Sequence, residues 1–126
     1  MSTDRIAPGG LKELGPLNWV IAKIGARVIR APRFTLFNVL GQHRILFLLW
    51  LPYSAALLGA LSKLPGRDAE LVILRVAHLA DSAYERAHHE RLGRRVGLSR
   101  AEIDRVAGGP DAEGWTPRQR VLLAAT

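Results

Sequence analysis

The chain has 126 residues, no cysteine and a net charge of +7. Without a thiol it cannot run a thiolate nucleophile, a Cys-x-x-Cys redox couple or a disulfide framework. The basic balance raises nucleic-acid binding, but Arg91, Arg94, Arg95, Arg100 and Arg105 are interrupted by Glu90, Glu102 and Asp104, with no stacking aromatics between them. A solvated basic face and no nucleic-acid partner are expected.

In chain order, Met1–Gly10 is polar, contains Gly and Pro and lacks the apolar core of a signal peptide, which suggests a loose arm and a cytoplasmic protein. Pro16 opens a helical pattern in which Leu17, Val20, Ile21, Ile24 and Val28 form one stripe while Lys23, Arg27 and Arg30 leave it, as in an amphipathic packing helix. Ala31-Pro32-Arg33 breaks the pattern, and a short segment from Phe34 to Leu40 precedes Gly41. Ile45–Leu61 is uncharged over seventeen residues, a borderline length for a membrane span. Pro52-Tyr53-Ser54 interrupts that run, so it reads as a broken pair of elements buried in a helical protein or its subunit interface rather than a membrane helix.

A helix is expected after Asp68, apolar on nearly every side through Leu71, Val72, Ile73, Leu74, Val76 and Leu79, as a buried central helix would be. Its polar residues Glu70, Arg75 and His78 then need explaining, and His78 reads as a buried, hydrogen-bonded histidine. The next helix opens at Ser82 with Glu85 three residues on, the spacing of a capping box, and stops at Gly97 after Arg94 and Arg95. His89 falls four residues after Glu85 on the same face, whereas His88 points about 100° away. Tyr84 lies in the first turn. Ser99-Arg100-Ala101-Glu102 repeats the capping logic for a short helix ending at Gly108-Gly109-Pro110, and Trp115-Thr116-Pro117 starts a last helix that runs into the C-terminus, as in an incomplete domain.

Two carboxylates, two histidines, a tyrosine and a hydroxyl suit general acid–base work or polar ligand binding better than nucleophilic catalysis. The structural alternative stays open: Ser82 and Glu85 simply cap a helix, Glu70 favours a helix N-terminus, and His89 makes a helix contact. Glu85-x-x-His88 has the spacing of helical di-iron sites, with Glu70 as a third ligand, but such sites need a second Glu-x-x-His, and the chain has none. No metal and no cofactor are expected.

The pattern of Glu70, eleven residues, Ser82-x-x-Glu85, three residues, His89, with its flanks from Pro65 to Ala77 and from Tyr84 to His89, resembles the carboxymuconolactone decarboxylase and alkylhydroperoxidase D superfamily. The peroxidase branch carries Cys-x-x-Cys at the Ser82 and Glu85 positions, with the Glu70 and His89 positions forming a proton relay. This chain is similar instead to the cysteine-poor, decarboxylase-like branch, so a peroxidase label would be inherited from the family rather than supported by these residues. The resemblance implies that Glu70 meets His89 across two packed helices, and that the chain forms a homo-oligomer, trimer or hexamer.

The expected architecture is therefore one all-α domain over residues 11–126. The leading function is decarboxylase-like acid–base chemistry on a small organic anion, a lactone or keto acid. His89, Glu85 and Glu70 would be catalytic, and Tyr84, Ser82 and His88 substrate-binding. The competing reading is a catalytically silent ligand-binding or oligomer-forming module.

Overall fold

The computed structural model describes residues 5–59 and 61–126, and every regular element among them is helical. The helices are α1 (Leu11–Val28), α2 (Thr35–Leu40), α3 (Arg44–Leu58), α4 (Gly66–Leu79), α5 (Ala83–Arg95), α6 (Arg100–Arg105) and α7 (Pro117–Ala124), with a 3-10 turn over Val106–Gly108. The chain divides into two compact units, Met1–Ala56 and Leu57–Thr126.

In the first unit, α1 is interrupted at Gly15, whose φ of 77° only glycine adopts at little cost, so the regular helix restarts at Pro16 as the sequence suggested. The buried face is not the expected one. Leu17, Val20, Ile24 and Val28 are exposed, whereas Leu14, Asn18, Ala22 and Ala26 are buried. The reason is polar: the Asn18 Nδ2 donates to the Gly41 and Arg44 carbonyls at 3.0 and 3.4 Å, satisfying acceptors at the α2–α3 corner. The small residues on that face let α2 pack closely.

Phe37 organises the core of this unit, stacked on Phe34 at 4.1 Å between ring centroids and edge-on to Phe47 and Trp50 at 5.1 and 5.9 Å. Of the arm expected over Met1–Gly10, residues 1–4 lie outside the described residues. Gly9 exchanges hydrogen bonds with Asn38, and the Gln42 amide donates to the Ala7 carbonyl.

α3 corrects a second expectation. The helix continues through Pro52 rather than breaking there, because proline forfeits one N–H bond while the turns on either side keep theirs. Phe47 is fully buried, but Ile45, Leu46, Leu48, Leu49, Tyr53, Leu57 and Leu58 are exposed. Ala60, inside the expected run, lies outside the described residues. Among those described, no helix is long and apolar enough to cross a membrane.

The second unit is built on the α4–α5 hairpin. α4 begins at Gly66, earlier than expected, because Asp68 does not cap it: the Asp68 carboxylate accepts from Arg118 Nε at 2.8 Å, tying α4 to α7. Nor is α4 buried all round. It is amphipathic, with Ala69, Leu71, Leu74 and Ala77 inward and Val76, His78 and Leu79 exposed, so His78 is not the buried histidine the sequence suggested. Arg75 is explained by its two bonds to the Val106 and Ala107 carbonyls. The core joins Leu71 and Leu74 to Leu98, Ile103, Val106, Trp115 and Leu123.

α5 stops where expected: Gly97 has φ 93°, and Gly97 N–H and Leu98 N–H donate back to the Arg94 and Gly93 carbonyls, closing the helix end. The boxes at Ser99/Glu102 and Thr116/Gln119 form with both reciprocal bonds. Among the acids interrupting the arginine cluster, Glu90 lies 3.9 Å from Arg94, and Asp104 3.0 Å from Arg100.

Candidate functional site

The turn between α4 and α5 sets the site. Asp81 takes a left-handed conformation, φ 48°, which aspartate tolerates better than most side chains. It lets Asp81 N–H and Ser82 N–H donate back to the His78 and Ala77 carbonyls, sealing the end of α4. Ser82 then caps α5, its hydroxyl accepting the Glu85 N–H at 3.4 Å.

The capping box is only half made. The Ser82 N–H that Glu85 would have accepted is already bonded to Ala77, so the Glu85 carboxylate is released from capping and turns along the helix to His89 Nε2, at 3.3 Å. Three residues, Ala80, Asp81 and Ser82, fold the chain sharply back, and α4 and α5 pack against each other. Glu70, in the second turn of α4, thereby meets His89 Nδ1 at 2.7 Å.

The result is a line of three titratable groups: Glu70, His89, Glu85. The Glu70 and His89 side chains are 14% and 12% exposed, and that of Glu85 is 39% exposed. The Glu70 contact is a hydrogen bond that fixes the ring in orientation, and Glu85 stands at ion-pair distance from the other ring nitrogen. Such a line can hold a proton and hand it on, and it contains no nucleophile stronger than a carboxylate.

The remaining expected residues are placed differently. His88 is buried, and burial, more than repulsion from His89 and Arg91, lowers its pKa below the ordinary 6.5. Its ring lies parallel to that of Tyr84, with centroids 6.2 Å apart, and edge-on to His89 at 5.2 Å. Tyr84 is exposed beside Glu85. Ser82 faces a cleft of about 130 Å³ with His78, Asp81 and Arg86, and a second cleft of about 140 Å³ adjoins His78, Arg86 and Glu90; neither is lined by Glu70, Glu85 or His89.

The Glu85-x-x-His88 spacing does not assemble a ligand set, since Glu85 is spent on His89; among the described residues, no group of three or more acidic or histidine side chains is disposed to hold a metal ion. The contribution the sequence reading missed is Asp81. Its signal was an aspartate directly before a serine cap, at the end of an apolar helical run.

The carboxymuconolactone decarboxylase family model matches residues 46–126, from the start of α3 to the end of the chain, and includes the whole Glu70–His89 hairpin. The chain belongs to the carboxymuconolactone decarboxylase family. It is a cysteine-less carboxymuconolactone decarboxylase family member. Comparison with curated proteins and with solved structures gave no match.

Proposed function

We propose that this chain is an acid–base enzyme of decarboxylase-like type, acting on a small organic anion such as a lactone or keto acid. The observation that carries this reading is the Glu70–His89–Glu85 line, in which a carboxylate 2.7 Å from Nδ1 fixes the ring so that Nε2 works at the exposed end. Glu70 orients the imidazole, His89 exchanges the proton, and Glu85 lies between the ring and solvent. Tyr84, exposed one residue before Glu85, would donate to a developing enolate or alkoxide oxygen. Ser82 holds the frame of α5, and the His88 ring lies parallel to that of Tyr84.

The exposed apolar side chains of α1 and α3 support the further proposal that the working form is a homo-oligomer, trimer or hexamer, burying them between copies. A second reading, a silent ligand-binding or oligomer-forming module, is favoured by one observation: neither cleft beside α5 reaches the relay.

The test is turnover of a panel of lactones and β-keto acids, followed by ring opening or carbon dioxide release, with His89→Ala alongside the parent. The enzyme reading expects a rate loss of about 10²–10⁴-fold in His89→Ala with the helical melt retained. Equal rates in both proteins reject it in favour of the silent module.

A further inference from the structure

The two carboxylates around His89 are not equivalent. Glu70 is inward, close and held by α4, whereas Glu85 is farther from the ring and more than twice as exposed. Glu85 is also free of the bond its position would ordinarily give it, because the Ser82 N–H is donated to Ala77. Turned outward, its carboxylate would still sit in the first turn of α5, where the positive end of the helix dipole favours it. Leaving His89 thus costs Glu85 one contact of 3.3 Å and no cap.

Resting on the acid–base reading above, we propose that Glu85 is a placeholder: its carboxylate occupies the position on His89 Nε2 that a carboxylate or enolate oxygen of the substrate takes, and it turns out to solvent when that anion arrives. The exchange puts one carboxylate in place of another beside His89 Nε2, so a small carboxylate displaces Glu85 at little net cost. A neutral ligand does not, because it would replace the charge-assisted contact of a carboxylate with a weaker one. Glu85 therefore selects for anions through what must replace it, and Glu70, which does not move, keeps Nδ1 fixed throughout.

The test needs no knowledge of the natural substrate. Diethyl pyrocarbonate acylates accessible imidazole nitrogens from the unprotonated fraction of the ring, so all proteins are compared at one pH, and fragment mass spectrometry of digested protein separates His89 from His88. Exposed His78 serves as reference and buried His88 as a check on folding. In wild-type protein Nε2 is covered and His89 reacts slowly. In Glu85→Ala it is uncovered and reacts faster, and acetate, the probe anion, protects it saturably at a concentration about ten-fold below that needed in wild type. Acetamide protects neither. Glu85→Gln, which keeps the side-chain volume, gives the same direction if Glu85→Ala exposes His88.

Absence of saturable acetate protection in the variants overturns the placeholder, as does protection equally easy in wild type. These readouts involve no turnover, so their failure is separate from that of the acid–base reading, which the His89→Ala rates decide.

Discussion

At the scale of single residues, His88 gives the clearest pH dependence. Burial, ahead of the nearby His89 and Arg91 charges, lowers its pKa, while Glu85 and Glu70 act weakly the other way. The unfolded chain takes up this proton at the ordinary 6.5, and the folded chain only at lower pH. Below that value the unfolded state binds more protons, so stability is fully present above it and is lost as pH falls. Thermal melts of the parent are therefore expected to shift downward between neutral and mildly acidic pH, and those of His88→Gln to shift less; an equal shift in both would remove His88 as the cause. Glu102 acts in the same direction at lower pH: burial works to raise its pKa, but the Ser99 N–H and hydroxyl and the Arg67 guanidinium outweigh this and hold it below the ordinary carboxylate value, so its contribution too is lost as pH falls. The residues of the relay were readable as types and spacing. Their meeting was not, because Glu70 and His89 are nineteen positions apart and only the packing of α4 on α5, which the family resemblance implied, brings them together.

At the scale of elements, local signals were read well and faces were read poorly. The stop at Gly97 and the starts at Ser99 and Thr116-Pro117 all formed, since each depends on a few adjacent backbone groups. Which side of a helix is buried depends on what it meets. α1 turned its valines and isoleucine outward because Asn18 satisfied the carbonyls at the α2–α3 corner, and the apolar run of α4 left His78 in water. The half-made box at Ser82 lies between these cases: the motif was present, but the left-handed turn at Asp81 directs the N–H that would complete it to the Ala77 carbonyl. The two serine caps are consequently unequal. Ser99→Ala, which loses a full reciprocal box, is expected to cost about 1 kcal/mol, and Ser82→Ala roughly half as much, in urea unfolding at unchanged m-value. The reverse order would show that Glu85 still serves the cap.

At the scale of the whole molecule, the exposed apolar side chains of α1 and α3 set the expected behaviour in solution. Light scattering behind size exclusion should give a discrete species well above the 13.8 kDa of one chain. Placing lysine at both Leu17 and Ile24, which are exposed and make no core, should shift it toward smaller species while helical content is kept. An unchanged mass would locate the association elsewhere, and a monomeric parent would reject the oligomer. The burial of Trp115 has an optical consequence. Its indole N–H donates to the Gly109 carbonyl in the core of the second unit, with the Arg105 guanidinium 5.0 Å from the ring, whereas Trp19 and Trp50 belong to the first unit. With three tryptophans so divided, the protein carries its own fluorophores for each half. A chain with Trp19→Phe and Trp50→Phe emits from the relay-bearing unit alone, and subtracting its denaturation curve from the parent's isolates the unfolding of the first unit without any attached dye.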